Sequence, residues 1–193
     1  VFLVHLIKSI LYLYRFVMVK HLNEFIAMAR ITLKGNEIHT NGSLPKTGAE
    51  APAFSGVKND LSDLTLSDLK GKRIIINVFP SLDTAVCAKS VRKFNEMASS
   101  LPNTVVLALS KDLPFAQGRF CTTEGIKNVV SLSAFRDSDF ENNYGMLMID
   151  GPLKGLLARG VIIVDESGKI IYTELVPEIT NEPDYDAALN VLK

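Results

Sequence analysis

The feature that most constrains the fold is a strongly apolar segment, residues 74–79, which ends in a bend at Pro80 and leads into an amphipathic helix that begins near Thr84. Such an apolar run is typical of a central strand buried on both faces. A second buried-type strand, Thr104–Ser110, follows the helix. A strand, a helix and a strand in this order favour a parallel pair joined by a right-handed crossover. The sequence therefore predicts an α/β domain built on a central sheet.

The remaining periodicity predicts a mixed sheet covered by helices and preceded by an N-terminal β-hairpin. The hairpin is expected over residues 30–33 and 37–40, around Lys34-Gly35-Asn36, because turn residues separate two alternating segments. A second hairpin is expected where 161–164 and 169–175 flank the turn 165–168. The other predicted elements are a brief helix over 62–69, a helix from 114, a strand over 129–134, a short helix over 137–144 and a closing helix over 185–192.

Composition narrows the function classes. The chain has 193 residues, of which 47% are apolar and 22% charged, which is the balance of one globular domain. Its 21 basic and 21 acidic residues cancel, and no dense basic run is present, so we expect no nucleic-acid partner. Its two cysteines indicate a reducing compartment or redox chemistry. The three histidines, His5, His21 and His39, lack ligand spacing, so we predict neither a metal site nor a cofactor.

The first 27 residues differ from the remainder of the chain. They are strongly apolar, but Lys8 and Arg15 interrupt the run, so no stretch reaches the roughly 20 apolar residues of a membrane span. Arg15 also splits the apolar region of any signal peptide. We therefore predict an extension, 1–27, outside a single domain, 28–193, although a membrane-associating segment stays open as an alternative. For the domain itself we expect no membrane contact and a cytoplasmic location.

Cys87 is the strongest candidate for a reactive group. It falls in the first turn of the predicted helix, where unpaired backbone N–H groups and the helix dipole favour a thiolate over a neutral thiol. Thr84 lies about one helical turn earlier, so its hydroxyl could donate a hydrogen bond to the sulfur. Cys121 follows 34 positions later. Taken alone, each cysteine is more often an inert buried residue than a reactive one.

Several segments of the chain resemble the active-site segments of bacterial thiol peroxidases, which are atypical two-cysteine peroxiredoxins of the thioredoxin-like fold. The most specific are Pro80-Ser-Leu-Asp-Thr84-Ala-Val-Cys87 and Phe115-Ala-Gln-Gly-Arg-Phe-Cys121. Further similar segments are 112–117, 151–155, Ala158-Arg159 and 182–189, so that the resemblance extends over residues 29–193.

This resemblance implies a thiol-specific peroxidase that reduces hydrogen peroxide and organic hydroperoxides. By matching positions, Cys87 would be the peroxidatic cysteine and Cys121 the resolving one, the two forming an intramolecular disulfide. Thr84, Arg159 and Pro80 would support Cys87. The family also implies thioredoxin as the reductant and a homodimer.

Three other functions were weighed against this expectation. A non-catalytic thioredoxin-like binding module would keep the fold without the chemistry. A cysteine hydrolase would need a histidine to activate Cys87, and no histidine follows His39. A disulfide reductase would need paired thiols in a Cys-x-x-Cys motif, which the sequence lacks.

Overall fold

A computed structural model describes residues 28–193, so the predicted extension 1–27 lies outside the described residues. The strands are β1 (Arg30–Leu33), β2 (Asn36–His39), β3 (Ser55–Val57), β4 (Asp63–Thr65), β5 (Arg73–Val78), β6 (Thr104–Ser110), β7 (Val129–Ser133), β8 (Gly160–Val164) and β9 (Ile170–Leu175). The helices are α1 (Ala85–Ala98), α2 (Pro114–Glu124), α3 (Asp139–Asn143) and α4 (Tyr185–Asn190), with one 3₁₀ turn over Leu66–Leu69.

Seven strands form one mixed sheet, in the order β4-β3-β7-β6-β5-β8-β9. The central strands β5, β6 and β7 are parallel, as the crossover through α1 and α2 requires, whereas β8 pairs antiparallel with β5 and β9 pairs antiparallel with β8. Strands β1 and β2 pair antiparallel as a separate hairpin. The prediction of a mixed central sheet flanked by helices, with an N-terminal hairpin, is confirmed.

The two faces of the sheet carry separate apolar clusters. Along β5, Ile74, Ile76 and Val78 belong to one cluster, while Ile75 and the following Phe79 belong to the other. This alternation is the expected consequence of successive side chains pointing to opposite faces of a strand. The cluster of Ile75 and Phe79 lies on the face covered by α1, and it also contains Cys87 and Phe94 of that helix. We refer to this second group as the helix-side cluster.

The predicted helix over 62–69 is wrong in its first half. Residues 63–65 form β4, which pairs with β3, and only one 3₁₀ turn follows. The turn begins where it does because the Asp68 carboxylate accepts hydrogen bonds from the backbone N–H and the hydroxyl of Thr65, at 2.8 and 2.7 Å. Strands of three residues carry too little alternation to be recognised in a sequence, so β3 was not predicted either.

The other predicted elements agree with the structure to within two or three residues at each end. Within the range 28–193, no helix has the length and apolar character needed to cross a bilayer.

Candidate active site

Cys87 is held rigidly at the start of α1. It is the third residue of that helix, and its side chain is completely buried in the helix-side cluster. Val91 and Phe94, one and two turns further along, anchor the same face of the helix and are also inaccessible. The sulfur is therefore fixed at the positive end of the α1 dipole, a position that favours the thiolate.

The Thr84 hydroxyl faces the sulfur instead of capping the helix. Thr84 precedes the first helical residue in an extended conformation, and its side chain makes no capping hydrogen bond. Its Oγ1 lies 2.7 Å from Cys87 Sγ and 3.1 Å from the carbonyl oxygen of Ser81. A hydroxyl has one proton to donate, so an ionised sulfur and the Ser81 carbonyl compete for it.

Arg159 reaches the same sulfur from the neighbouring strand. It immediately precedes β8, whose first residue, Gly160, pairs with Val78 at the end of β5. Arg159 Nη2 lies 3.3 Å from Cys87 Sγ, and Nε donates to the carbonyl oxygen of Ile179 at 2.9 Å. Arg159 is 2% exposed, and its buried Nη1 has no hydrogen-bond partner among residues 28–193. Arg159 thus places a permanent positive charge and one spare donor beside the sulfur.

The carbonyl that holds Arg159 belongs to a segment fastened to the N-terminal hairpin. Ile179 N donates to the Thr32 carbonyl at 2.9 Å, and the adjacent Glu178 carboxylate accepts from the Thr32 hydroxyl and from the N–H groups of Lys34 and Gly35. These hydrogen bonds, with that of Gly35 foremost, hold the pKa of Glu178 far below its ordinary value. The hairpin therefore fixes the backbone on which Arg159 rests.

A second carboxylate balances the charge around Arg159. Glu182 accepts a hydrogen bond from Lys89 Nζ of α1 and another from the Tyr185 hydroxyl at 3.0 Å. The bond from Lys89 chiefly lowers the pKa of Glu182, and the charge of Arg159 contributes in the same direction. Burial raises the pKa of Tyr185. The positive side of the pocket is therefore accompanied by a paired carboxylate.

Asp112 ties the bend before α1 to the next strand. Its Oδ1 accepts from Ser81 Oγ at 2.7 Å, and its Oδ2 accepts from Leu82 N and from Ser110 Oγ, both at 2.8 Å. Ser110 Oγ in turn accepts from Gln117 Nε2 at 3.1 Å. A continuous chain of hydrogen bonds thus leads from α2 to the bend that carries Thr84.

Cys121 stands apart from this group. It lies on α2, is half-buried, and its Sγ is 2.9 Å from Ser131 Oγ of β7. Both cysteines are free thiols. Cys121 also borders a cavity of about 470 Å³ that Asn59, Gly118 and Lys127 help to line. The structure therefore brings Thr84 and Arg159 to Cys87, while Cys121 has separate contacts.

The other sequence candidates take simple positions. Pro80 is buried at the end of β5, beside the bend. Leu157, which immediately precedes Ala158-Arg159, is fully buried in the cluster on the opposite face of the sheet from Cys87. His39, the one histidine in residues 28–193, lies on β2 with Nδ1 2.7 Å from Asp150. A histidine-activated cysteine hydrolase therefore has no support among the described residues.

Asp112, Gln117 and Ile179 were not predicted to act at the site. Asp112 and Gln117 fall within a segment that carries the family resemblance, but nothing local in the sequence assigns them a role. A usable signal exists for Asp112: Ser81 and Asp112 each follow one of two adjacent parallel strands, and the carboxyl ends of such strands meet at one edge of the sheet.

A buried first-turn cysteine beside a hydroxyl and a guanidinium, just after a central strand of a mixed sheet, is the arrangement expected of a cysteine-dependent redox enzyme of the thioredoxin-like fold. Comparison with known proteins agrees. Residues 46–189 match the Redoxin family. The chain is 55% identical to a thiol peroxidase of Corynebacterium glutamicum and 53% identical to one of Mycobacterium bovis, each over 86% of this chain and 99% of the relative. The crystal structure of a peroxiredoxin-like protein from Aquifex aeolicus superposes with a TM-score of 0.81 at 44% identity, covering 86% of this chain and 96% of that one.

The chain therefore belongs to the Redoxin family and, within it, to the bacterial thiol peroxidases. It is a peroxiredoxin-type peroxidase, and the alternative of a non-catalytic binding module is wrong.

Proposed function

We propose that Cys87 is the peroxidatic nucleophile. The observation that carries this assignment is the enclosure of one buried sulfur by Thr84 Oγ1 at 2.7 Å and Arg159 Nη2 at 3.3 Å, at the N-terminus of α1. A hydroxyl, a guanidinium and a helix dipole all stabilise a sulfur anion. No other described cysteine has these partners.

In the first step, the Cys87 thiolate attacks one oxygen of a hydroperoxide and the O–O bond breaks. That oxygen stays on sulfur as a sulfenic acid, and the other leaves as an alkoxide or hydroxide that takes up a proton to become alcohol or water. Cys87 is oxidised by two electrons and the peroxide is reduced by two. The unpaired Arg159 Nη1 supplies a donor for the peroxide oxygens as negative charge develops there, and Thr84 supplies a second.

Pro80 acts as a wall of this pocket. It is buried at the end of β5, where it contributes no N–H group that would compete for the sulfur or the peroxide. Its role is to limit water around the thiolate.

In the second step, the Cys121 sulfur attacks the sulfenic sulfur, a disulfide forms, and water leaves. Two sulfurs bond only when their Cα atoms lie within about 7 Å. Because Cys121 contacts Ser131 and Cys87 is enclosed by Thr84 and Arg159, α2 must leave its place or unwind for this step. A dithiol then reduces this disulfide by thiol–disulfide exchange. The dithiol is itself oxidised by two electrons to a disulfide. We propose thioredoxin as that dithiol, from the family resemblance.

The same resemblance supports a homodimer and a cytoplasmic location for the domain. We also keep the assignment of residues 1–27 as an extension and 28–193 as the enzyme domain.

The assignment is tested by mass spectrometry after one equivalent of peroxide. We expect the native chain to lose two hydrogens and to yield a peptide pair linking Cys87 to Cys121. Cys87→Ser should consume no peroxide and form no link. A native chain that consumes peroxide while Cys87 stays reduced would contradict the proposal, as would a Cys87→Ser chain that retains the activity.

A further inference from the structure

The hydrogen-bond chain that leads from α2 to the Thr84 bend is used by neither chemical step described above. Its members are largely or fully enclosed: Ser110 and Gln117 are completely buried, and Asp112 is half-buried at the end of β6. The hydrogen-bond chain begins at Gln117, four residues before Cys121 on the same helix, and ends at Ser81, in the bend that precedes Thr84. It therefore joins the two cysteine-bearing segments without touching either sulfur.

The donors and acceptors along the chain have one consistent order. Gln117 Nε2 also bonds the carbonyl oxygen of Leu132 at 3.1 Å, and because a carbonyl only accepts, the amide nitrogen must face it. Gln117 therefore donates to Ser110, which uses its single proton to donate to Asp112. The Asp112 carboxylate accepts all three of its bonds, as a carboxylate must.

Asp112 determines where Thr84 stands. Through Ser81 and Leu82 it fixes the bend, and the Ser81 carbonyl accepts both the N–H and the hydroxyl of Thr84 at 3.1 Å. If the bend shifts, the Thr84 hydroxyl moves with it relative to Cys87 Sγ, 2.7 Å away. Of the two described sulfur partners, the hydroxyl is the one whose position depends on this bend, because Arg159 is held from the other side by Ile179.

Gln117 links the position of the Thr84 bend to the docking of α2 on the sheet. It is one of two buried residues of α2, and its buried Oε1 has no partner in the part of the chain that the structure describes. An unsatisfied buried acceptor opposes the docked position of the helix, since release would return that oxygen to water. When α2 leaves the sheet to bring Cys121 to Cys87, both bonds of Gln117 break, and Ser110 loses the donor that orients it.

We propose that Asp112 is a positioning residue for peroxide reduction, and that Gln117, through Ser110, couples the docked state of the Cys121 helix to the Thr84 bend. This inference rests on the proposed roles of Cys87 and Cys121. While α2 is docked, Thr84 is held against the sulfur for attack on peroxide; when α2 undocks, the bend loosens and the oxidised Cys87 becomes accessible to Cys121. The two segments therefore open together.

The test uses the full chain with Cys121→Ser, so that only the reaction of Cys87 with peroxide is observed. Three variants are made in this Cys121→Ser background: Asp112→Asn, Gln117→Met and, as the matched control, Asp165→Asn. The Asp165 carboxylate also accepts three bonds, from Ser167 N, Ser167 Oγ and Lys169 N, but in the turn between β8 and β9. Each of the two substitutions removes the charge of one hydrogen-bonded carboxylate in a turn or bend, so an effect of the lost charge alone would be common to both.

The first measurement is the rate constant for sulfenic acid formation with hydrogen peroxide, by rapid quench and mass spectrometry. We expect Asp112→Asn to lower it about 10- to 100-fold, the cost of misplacing one group at a reacting centre. Gln117→Met should lower it about fivefold, the equivalent of one ordinary hydrogen bond. Asp165→Asn should leave it unchanged. Equal rates in the two aspartate variants would overturn the positioning role.

The second measurement is amide hydrogen exchange at Leu82 and Thr84, which needs no peroxide. We expect faster exchange in Asp112→Asn and also in Gln117→Met, although residue 117 does not bond the bend directly. Unchanged exchange at these amides in Gln117→Met would overturn the coupling. If Asp112→Asn does not fold, Ser81→Ala, which removes one bond to the same carboxylate, takes its place with the same expected directions.

The two measurements separate this inference from the proposed function. If the Cys121→Ser chain forms no sulfenic acid at Cys87, the peroxidatic role fails, while the exchange data still decide whether α2 and the bend are coupled. If sulfenic acid forms normally and both aspartate variants behave alike, only the present inference fails.

Discussion

The two helices that carry the cysteines are packed in opposite ways. Five residues of α1 are buried, and they include large side chains such as Phe94. In α2 two residues are buried, Pro114 and Gln117, while Phe115 is 67% exposed. Burial of large apolar side chains is the main source of stability for a helix on a sheet. The proposed nucleophile, Cys87, is thus on a firmly held helix, and the proposed resolving residue, Cys121, is on a weakly held one.

The backbone of α2 strengthens this contrast. Gly118 lies in its interior, where glycine costs about 1 kcal/mol relative to alanine. The helix ends at Gly125 in the left-handed conformation, with φ of 65°. The difference teaches how one chain can hold the proposed reacting sulfur firmly while the helix of the second cysteine keeps few packing contacts. The predictions below test this division, starting with the largest effect.

Removing the Cys121 sulfur should stop catalytic cycling without affecting the reaction of Cys87 with peroxide. For Cys121→Ser we expect one equivalent of peroxide to be consumed at the native rate, followed by a loss of steady turnover with thioredoxin of about 100-fold or more, because the sulfenic acid has no intramolecular partner. Coupled turnover and single-turnover assays on the same preparation check this. Steady turnover at the native level would show that Cys121 does not resolve the sulfenic acid.

A bulky aromatic disulfide reagent should distinguish the two thiols before any peroxide is added. Cys87 is fully buried and Cys121 is half-buried on the weaker helix. We expect Cys121 to be labelled about 100-fold faster, since labelling of Cys87 requires an opening of about 3 kcal/mol or more. Peptide mapping after brief exposure gives the ratio, and equal labelling of both sites would contradict the comparison.

Two glycine substitutions should shift α2 in opposite directions. Gly118→Ala adds a Cβ that meets Asn59 at ordinary contact distances of 3.6–3.9 Å, and it should stabilise the docked helix by up to about 1 kcal/mol. Gly125→Ala places a side chain at positive φ and should destabilise the helix end by about 1 kcal/mol. We therefore expect slower disulfide formation in the first variant and faster formation in the second, each by about fivefold.

Sulfenic acid formation should be nearly native in both glycine variants, which separates the second chemical step from the first. Stopped-time alkylation and mass spectrometry give both rates. Effects of the same sign in the two variants would argue that undocking of α2 does not limit disulfide formation.

The smallest effect concerns the ion pair that joins the two helices. Arg92 Nε of α1 donates to Glu124 Oε2 of α2 at 2.7 Å, and this bond lowers the pKa of Glu124 below its ordinary value of 4.5. Because the pKa of Glu124 is lower in the folded protein, the ion pair with Arg92 is fully formed above pH 4.5. It is lost only as the pH falls through that lower pKa. Hydrogen exchange in α2 should therefore be slightly faster in Glu124→Gln than in the native chain at neutral pH.

That difference should persist down to pH 4.5 and then decrease, vanishing as the pH falls through the lower pKa of folded Glu124. Exchange measured at several acidic pH values checks the sign, and Lys58→Gln, which affects an ion pair outside both helices, serves as the control. A difference that grew as the pH fell would contradict the assignment of the attachment to Glu124.

Much of this comparison could be predicted from sequence, because it depends on local patterns. Strand β5 and helix α1 follow from the apolar run of 74–79 and the helical spacing of Cys87, Val91 and Phe94. The start of α2 follows from Pro114 at its first turn. Strands β3 and β4 were missed because three residues are too few to show a period.

Only part of the site could be predicted from the sequence, because some of its residues meet through contacts between distant elements and not through local spacing. The grouping of Thr84 with Cys87 follows from a spacing of one helical turn, but Arg159 was expected only from the family resemblance. It reaches the sulfur through the pairing of β8 with β5, across 72 positions of sequence. Asp112 and Gln117 act through hydrogen bonds between elements, and such bonds leave no periodic trace in the sequence.

The attachment of the N-terminal hairpin to Glu178 and Ile179 has a consequence for how the enzyme can vary. Since Arg159 rests on the Ile179 carbonyl, a change in the turn at Lys34 and Gly35 can reach the guanidinium through the Glu178 carboxylate and the backbone that joins Glu178 to Ile179. Substitutions on the surface of the N-terminal hairpin can therefore adjust the reactivity of Cys87 in small increments, while every group that touches the peroxide stays the same.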